Sequence, residues 1–344
     1  MIIQELVREN IKRLKPYSSA RSEYKGAADV FLDANENPFD TGLNRYPDPL
    51  QWKLKEAISN LKGITVKNIF LGNGSDEVID LLIRIFCEPG KDRIVILPPT
   101  YGMYEVSASI ADVEVQTIAL DEQFQPDSKG IIEAAAPQSK LLFLCSPNNP
   151  TGNTFDEDKV HYIVEKFPGI VVVDEAYIDF SGHKSFSEHL EQYPNLVIMQ
   201  TFSKAWGMAG IRLGMAFASK EIIGWFNKVK PPYNINQLTQ QAALEALKHR
   251  ARQKDWVDCI LKEREKLITA LIHIPLVKKI FPSDANFVLV RVDGPQEVYD
   301  YLISEKIIVR NRSTVLMCEG CLRITVGTAE ENKKLIAALE KYRK

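Results

Sequence analysis

The sequence is poor in cysteine, with five in 344 residues, which is too few for a disulfide-stapled secreted scaffold. An odd number leaves at least one thiol unpaired within the chain, and this favours a reducing compartment. No apolar run approaches the length that a membrane-spanning helix needs. The first 17 residues carry charges at short intervals and lack the apolar core of a signal peptide. We therefore expect a cytoplasmic protein whose chain begins with a short amphipathic helix that ends before Pro16.

An excess of positive charge is also missing. The chain has 43 Lys and Arg against 45 Asp and Glu, a formal net charge of −2. Such a balance provides no drive for non-specific binding to nucleic acid or to an acidic membrane, so we expect neither partner. Hydrophobic residues make up 45% and charged residues 26%, which excludes a disordered or fibrous chain. The length predicts about two domains.

Short apolar runs alternate with helical patterns between residues 69 and 220. This alternation predicts an α/β fold with a mostly parallel sheet sandwiched by helices. The candidate strands are seven in number: residues 69–72, 93–97, 113–119, 141–146, 170–174, 196–201 and 213–218. Candidate helices lie between them, at 76–87, 156–167 and 221–229.

After residue 232 the pattern changes to long helices over 236–273, with a break near 248–252. Strands at 287–292 and 322–326 and helices at 295–306 and 329–343 follow. We therefore predict a large domain at 36–240 and a smaller α+β domain at 241–344. We expect residues 1–35 to form an N-terminal arm that packs with the small domain.

A glycine-containing segment at residues 72–77 follows the first predicted strand and opens a helix. Glycines and a hydroxyl at a helix start leave backbone N–H groups free to bind a phosphate. The sixth position is Glu77 rather than glycine, so the segment lacks the fingerprint of a dinucleotide site. On this motif alone, a plain tight turn with Ser75 or Asp76 as the N-cap is the alternative interpretation.

Two further motifs lie at the carboxyl ends of predicted strands, where open sheets bind ligands. In the segment 146–152, two prolines and a glycine hold Asn149 in a rigid loop, although an ordinary turn has a similar composition. Asp174 ends the strand at 170–174. A buried carboxylate there needs a cationic partner such as a protonated ring nitrogen. The alternative for Asp174 is a helix cap.

Lys204 follows the apolar strand at 196–201. An amine held against an apolar wall near other cations loses proton affinity and becomes a usable nucleophile. An amine for a Schiff base, a carboxylate for a pyridine nitrogen and a phosphate cradle together predict a pyridoxal phosphate site. In that site Asp174 would hold the ring nitrogen, Tyr177 and Asn149 the ring hydroxyl, and Ser75, Asp76, Ser203 and Arg212 the phosphate.

These motifs resemble those of the fold-type-I, pyridoxal-phosphate-dependent aminotransferases, and among them the histidinol-phosphate aminotransferase family. The resemblance runs nearly end to end. The lysine, the aspartate and the loop at 146–152 are specific for the cofactor fold, whereas the segments at 35–38 and 98–104 point to the narrower family. The matching segments are residues 32–38, 45–47, 98–104, 146–152, 174–177, 203–204, 210–212 and 322–327.

The resemblance implies a transaminase of histidine biosynthesis, which interconverts L-histidinol phosphate and 2-oxoglutarate with imidazole-acetol phosphate and L-glutamate. It implies Lys204, Asp174 and Tyr177 as catalytic residues, with Lys204 moving the proton. Tyr46 would reach the cofactor phosphate of a neighbouring subunit, which implies a homodimer with shared sites. The family further implies cofactor contacts for Tyr101, which would stack on the ring, and for Gly74 and Thr201, and substrate contacts for Tyr17, Asn35, Arg310 and Arg323, with Arg312 competing with Arg310.

Three other functions stay open. An aromatic amino acid aminotransferase would accept a similar flat ring on a short amine-bearing stem, and a threonine-phosphate decarboxylase would share the cofactor motifs. A non-catalytic ligand-sensing regulator is disfavoured because the sequence shows no helix-turn-helix and no basic excess. Cys318 and Cys321 form a CxxC motif without a second pair, and the five histidines show no ligand spacing, so we expect no metal site.

Overall fold

The structure is a computed structural model that describes residues 2–17 and 29–342. Its centre is a seven-stranded sheet made of β1 (Ile69–Asn73), β2 (Arg93–Ile96), β3 (Glu114–Thr117), β4 (Ser139–Cys145), β5 (Ile170–Asp174), β6 (Leu196–Thr201) and β7 (Leu213–Ala218). The order across the sheet is β1-β7-β6-β5-β4-β2-β3. Only β7 runs antiparallel to its neighbours β1 and β6, and the other pairs are parallel. The predicted α/β fold with a mostly parallel sheet is confirmed.

The N-terminal arm differs from the prediction in two respects. It forms two short helices, α1 (Ile3–Leu6) and α2 (Glu9–Arg13), instead of one, because the backbone of Val7 and Arg8 between them is extended. The apolar side chains of Ile3, Val7 and Ile11 are buried in the same cluster as the large-domain sheet. Arg8 also binds Glu88 in the large domain, with 3.1 Å between Nε and Oε2. The expectation that the arm packs with the small domain is therefore wrong for residues 2–17, and residues 18–28 lie outside the described part of the chain.

Both faces of the central sheet are buried, as the continuous apolar run in β5 predicts. Val171 and Val173 pack into one hydrophobic cluster, and Ile170 and Val172 into the cluster on the opposite face. The first face is covered by α3 (Trp52–Lys62), α6 (Ser128–Ala134) and α7 (Glu157–Lys166), and the second by α4 (Ser75–Phe86), α5 (Met103–Ile110) and α8 (Lys220–Val229).

The C-terminal part is a smaller α+β unit with its own hydrophobic core. The predicted break in the long helical segment lies at His249. The strands of this unit are β8 (Val277–Ile280), β9 (Phe287–Val292), β10 (Arg310–Asn311) and β11 (Cys321–Thr325), and its helices are α10 (Arg250–Ile272), α11 (Pro295–Ser304) and α12 (Ala329–Lys341). The strands form an antiparallel sheet in the order β10-β11-β9-β8. The preceding helix α9 (Gln237–Lys248) buries Ala243 in the large-domain cluster instead.

The two units meet next to the carboxyl ends of β5 and β6. Tyr177 and Ala205, which follow these strands, are buried together with Val257 and Phe287 of the C-terminal unit. The domain limits at residues 35 and 240 stay predictions. Across residues 2–17 and 29–342, no helix is both long and apolar enough to cross a bilayer.

Candidate active site

A cavity of about 410 Å³ lies where the carboxyl ends of β4, β5 and β6 meet β10 and β11 of the small sheet. Parallel strands direct their carboxyl ends to one edge, which is why residues distant in sequence meet there. Twelve of the residues predicted from the sequence line this one cavity: Ser75, Asp76, Tyr101, Asn149, Asp174, Tyr177, Thr201, Ser203, Lys204, Arg212, Arg310 and Arg323.

Asp174, the last residue of β5, is only 3% exposed. Its Oδ2 accepts a hydrogen bond of 2.7 Å from the hydroxyl of Tyr104, and its Oδ1 accepts one of 3.1 Å from the backbone N–H of Ala176. Burial raises the pKa of Asp174 to about 6, although both hydrogen bonds act in the opposite direction. The carboxylate is thus held in place but is costly to ionise without a cationic partner.

Lys204 follows β6 and lies on the same wall of the cavity. Its Nζ is 5.5 Å from the centre of the Tyr177 ring. Burial lowers the pKa of Lys204, and the positive charges of Arg323 and Arg212 lower it further, against the attraction of Asp174. This is the environment in which a lysine amine becomes available as a nucleophile and a base.

A chain of polar contacts joins the two domains across the cavity. The Asn149 side-chain nitrogen lies 3.5 Å from the hydroxyl of Tyr177, and its Oδ1 accepts a 2.5 Å hydrogen bond from Nη1 of Arg323. Asn149 is almost fully buried. The rigid loop predicted at 146–152 therefore does place an amide in the cavity, and that amide also holds the small domain's arginine.

The amino terminus of α4 forms a cradle at one end of the cavity. The helix begins at Ser75 with Gly74 as N-cap (φ +79°) and no side-chain capping bond, so neither Ser75 nor Asp76 caps it. A Cβ on Gly74 would lie 2.7 Å from Nη2 of Arg212, and a Cβ on Gly214 would clash with the backbone of Gly74 and Ser75. Close backbone approach and uncapped N–H groups are what a phosphate site requires.

Arg212 is held in this cradle by its backbone and by its side chain. The backbone of Arg212 adopts a left-handed conformation (φ +52°), and its carbonyl accepts a 2.8 Å hydrogen bond from the Gly74 N–H. Its guanidinium lies 3.5 Å from Oδ2 of Asp76. The hydroxyl of Tyr101 donates to the other oxygen of Asp76 at 3.2 Å. Arg212, Asp76 and Tyr101 thereby form one connected wall.

The opposite wall is strongly positive. Arg310, Arg312 and Arg323 all line the cavity, and Arg310 pairs directly with Arg323 across β10 and β11. Within the described residues, Nε of Arg312 and Nε of Arg323 are buried without a hydrogen-bond partner. Burial and the neighbouring arginines lower the pKa of Arg312. Like charges in facing positions and unpartnered donors are unfavourable until an anion binds between them.

Three predicted residues lie outside this cavity in the single chain. Tyr46 and Asn35 line a separate surface cavity of about 600 Å³, in which Tyr46 stacks on Tyr233 with 4.5 Å between ring centres. Tyr17 is 71% exposed and lines a third, smaller cavity. A fourth predicted residue, Gly74, does not line the cavity itself but is the N-cap of α4 beside it.

Sequence reasoning missed Tyr104 as a site residue. Tyr104 is fully buried and stacks on Phe143 with 4.6 Å between ring centres. Tyr101 lies two residues before the start of α5, and its ring meets the Tyr104 ring edge-on, with 5.6 Å between ring centres. No local pattern in the sequence singles out Tyr104. Arg310 and Arg312, between which the sequence left the choice open, both line the cavity.

The cysteines and histidines considered as metal ligands are arranged differently in the structure than their spacing along the chain suggests. Cys318 and Cys321 are buried free thiols. The histidines lack ligand spacing along the chain, yet the structure brings His161 and His189 together beside Glu157. That cluster is not part of the cavity lining.

The residues present fit pyridoxal phosphate. Its phosphate would lie at the cradle formed by Gly74 and the start of α4, against which the absence of a side chain at Gly214 lets β7 pack closely. Its cationic ring nitrogen would offset the burial of Asp174, and its aldehyde requires an amine with a lowered pKa, which Lys204 provides.

Comparison with known proteins agrees with this geometry. A model of the family of class I and II aminotransferases matches residues 22–339. The chain is 56% identical to a histidinol-phosphate aminotransferase from Cytophaga hutchinsonii, covering 99% of each protein. It is 30% identical to the crystal structure of the histidinol-phosphate aminotransferase from Clostridium acetobutylicum, with a TM-score of 0.80 over 87% of this chain and 90% of that one.

A third comparison concerns the fold alone. The histidinol-phosphate aminotransferase from Sinorhizobium meliloti, solved in complex with pyridoxal-5'-phosphate, is 24% identical, with a TM-score of 0.80 over 86% of this chain and 82% of that one. The chain thus belongs to the class I and II aminotransferases. Within that family, it is similar over nearly its whole length to histidinol-phosphate aminotransferases.

Proposed function

We propose that this chain is a transaminase that interconverts L-histidinol phosphate and 2-oxoglutarate with imidazole-acetol phosphate and L-glutamate, in histidine biosynthesis, using pyridoxal phosphate. The observation that carries the proposal is the cavity in which Lys204, Asp174 and the uncapped end of α4 face three arginines. The identity of more than 50% to several histidinol-phosphate aminotransferases supports this substrate.

The large-domain wall binds and orients the cofactor. When bound, pyridoxal phosphate supplies an electron sink that makes a hydrogen on the substrate's amine-bearing carbon acidic. The Asp174 carboxylate, fixed by Tyr104, would accept a hydrogen bond from the protonated ring nitrogen. Asn149 and Tyr177 would hydrogen-bond the ring hydroxyl, and Tyr101 would pack on the ring. Backbone N–H groups of α4 and the side chains of Ser75, Ser203 and Arg212, which line the cavity, would hold the phosphate.

Lys204 is the residue that moves the proton. Because burial and two arginines lower the pKa of Lys204, a larger share of its Nζ is neutral than for an exposed lysine. A neutral Nζ accepts the proton from the substrate carbon and donates it again later in the same half-reaction. Tyr177, whose ring lies against Nζ, keeps the amine in position.

The small-domain wall binds the substrates' anionic groups. The two half-reactions present a phosphate and then a carboxylate, and a guanidinium accepts either through paired hydrogen bonds. Arg323 reaches the large-domain wall directly, since it donates a hydrogen bond to Asn149. We assign the carboxylate to Arg323, and the phosphate of histidinol phosphate to the arginine group of Arg310, Arg312 and Arg323. Asn35 and Tyr17 lie outside this chain's cavity, so their contact with that phosphate requires a second copy of the chain to bring them there.

The position of Tyr46 supports a homodimer. Tyr46 lies outside its own chain's cavity, in a surface depression with half-exposed Leu43 and Leu238. In the dimer, this depression meets the second copy and Tyr46 hydrogen-bonds the neighbouring cofactor's phosphate. The five cysteines, all free thiols, support a cytoplasmic location.

A mixing experiment tests the shared site. Tyr46→Ala and Lys204→Ala are each purified, unfolded or dissociated, and recombined. If Tyr46 acts across the dimer, half of the dimers are hybrids with one intact site, so about one quarter of the wild-type activity returns. No recovery, in a mixture that chromatography shows to contain hybrids, would place Tyr46 in its own chain's site.

A substrate panel tests the reaction. The purified protein should convert L-histidinol phosphate with 2-oxoglutarate at a far higher kcat/KM than phenylalanine or tyrosine. A preference for the aromatic amino acids would overturn the substrate but keep the transaminase. Carbon dioxide release from O-phosphothreonine would indicate a decarboxylase instead, and no change of visible absorbance with any amine would contradict the proposal as a whole.

A further inference from the structure

A second polar cluster lies between α7 and the short helical turn Phe186–His189. It consists of Glu157 and His161, one turn apart on α7, and His189 from the turn. Their ligand atoms all lie within 4.8 Å of one another. None of the three lines the active-site cavity, and the proposed reaction uses none of them.

The spacing of the three ligand atoms is close to that around a metal ion. Oε1 of Glu157 lies 3.7 Å from Nε2 of His161 and 4.0 Å from Nε2 of His189. A zinc ion holds such atoms at about 2.0–2.2 Å, which places neighbouring ligands of a tetrahedron roughly 3.4 Å apart. The two Glu157 distances exceed this spacing by about 0.3–0.6 Å, and the two histidine ligand atoms lie within 4.8 Å of each other, so side-chain rotation is enough to close the site. All three side chains are partly exposed, so an ion can enter and water can complete its coordination.

The His161 ring is oriented by a neighbouring hydroxyl. Its Nδ1 lies 3.1 Å from the hydroxyl oxygen of Tyr193, which also accepts a 3.0 Å hydrogen bond from Nε2 of Gln192. With its proton on Nδ1, His161 donates to Tyr193, and the lone pair of Nε2 is directed at Glu157. Metal-binding histidines use their second ring nitrogen in this way.

His189 is presented by a segment that is anchored in the core. At the start of its turn, Oε1 of Glu175 accepts a 2.7 Å hydrogen bond from the Phe186 N–H, and Oε2 accepts one of 2.6 Å from Ser185. Glu175 is buried next to the end of β5. The His189 ring meets the His161 ring edge-on, with 4.5 Å between ring centres. The second imidazole is thus held close to the first by the fold itself.

We propose that Glu157, His161 and His189 bind one divalent transition-metal ion of the zinc type. Two imidazoles and one carboxylate favour zinc over magnesium or calcium, which prefer oxygen ligands alone. Three protein ligands leave at least one position for water. The ion connects α7 to the turn that precedes β6, and so stabilises the folded large domain in proportion to its occupancy.

The test measures zinc binding by isothermal titration calorimetry. It uses the tag-free, pyridoxal-phosphate-loaded protein with Cys259→Ser, because Cys259 is an exposed thiol that could bind zinc by itself. We expect one saturable site and a zinc-dependent rise of the melting temperature. His161→Ala and His189→Ala should each weaken binding by more than tenfold, and Tyr193→Phe, which loses only the orienting hydroxyl, by about tenfold.

The matched control is His249→Ala. His249 and Glu245 form the same i, i+4 pair, with 3.2 Å between Nε2 and Oε1. Among the described residues, however, no third ligand atom lies close enough to join this pair. This variant should bind zinc like the parent. The proposal is overturned if the parent shows no saturable binding, or if His161→Ala and His189→Ala bind zinc as tightly as the parent. Cofactor absorbance and circular dichroism verify folding, and His189→Gln replaces His189→Ala if the latter unfolds.

Discussion

The two walls of the active-site cavity differ in how their polar groups are satisfied before any ligand binds. On the large-domain wall, Asp174 accepts hydrogen bonds from Tyr104 and Ala176, and Asp76 binds Tyr101 and Arg212. On the small-domain wall, Arg310 faces Arg323, and buried guanidinium nitrogens lack partners among the described residues. The large-domain wall is therefore suited to a cofactor that remains bound, and the small-domain wall carries positive charge for anionic substrates that exchange.

This difference follows from which strands build each wall. Buried parallel strands end at the large-domain wall, so their terminal residues are fixed by the core on both faces. The small-domain wall is built from the two-residue strand β10 and from β11 in an antiparallel sheet. Such a sheet can leave one face polar and accessible to ligands.

The largest effect is expected from Lys204→Ala, which removes the amine from the large-domain wall. Turnover of histidinol phosphate should fall by several orders of magnitude, because the substrate proton loses the amine that is proposed to accept it. Steady-state and single-turnover assays measure the loss. Lys184→Ala, which removes an exposed lysine paired with Glu188, is the control and should keep full activity. Near-normal turnover by Lys204→Ala would remove the basis of the assignment.

The second prediction concerns the cost of burying Asp174 in the cofactor-free protein. Its pKa rises from 3.8 to about 6 in the folded state. A raised folded-state pKa means that the contribution of Asp174 to stability is complete below pH 4 and is lost as the pH rises through 6. The difference corresponds to about 3 kcal/mol. Cofactor-free Asp174→Asn should therefore be more stable than the wild type at pH 7.5, and the two should converge near pH 4.

The measurement is urea unfolding of both cofactor-free proteins from pH 4 to 8, with cofactor affinity determined separately. Asp174→Asn should bind pyridoxal phosphate much more weakly, because it loses the charge that pairs with the ring nitrogen. Glu175→Gln provides the comparison: burial raises the pKa of Glu175 to about 7, but this residue does not line the cavity. Glu175→Gln should keep the wild-type cofactor affinity. A loss of stability in Asp174→Asn at pH 7.5 would contradict the argument.

The large-domain wall was largely predictable from the sequence, for a physical reason. The strands β5, β6 and β7 have the predicted bounds, because continuous apolar runs bounded by polar residues mark strands buried on both faces. Once those strands are placed, Asp174 and Lys204 must lie at the same edge of the sheet. The hydrogen bond between Tyr104 and Asp174 was beyond prediction, since it joins residues 70 positions apart.

Features that depend only on contacts between residues distant in the chain could not be predicted from the sequence. β10 has two residues and no periodicity of its own, and it exists as a strand because it pairs with β11. The N-terminal helix divides at Val7 and Arg8, and Arg8 binds Glu88 on the large domain, which no local pattern indicates. The cluster of His161 and His189 depends in the same way on the packing of α7 against a distant turn.

The smallest effect is expected from Arg323→Lys, which keeps the charge of the small-domain wall but loses the planar fork. Lysine cannot make paired hydrogen bonds to a carboxylate, a loss of roughly 1.5 kcal/mol, or about tenfold. The KM for 2-oxoglutarate should rise by that factor, while the affinity for pyridoxal phosphate stays close to the wild-type value. Arg291→Lys on β9, whose Nε donates to the Glu319 carbonyl outside the cavity, should change neither quantity. If Arg323→Lys weakened cofactor binding as much as it raised KM, the hydrogen bond from Arg323 to Asn149 would contribute to cofactor binding. Arg323 would then belong to the large-domain wall, and the proposed difference between the two walls would not hold for this residue.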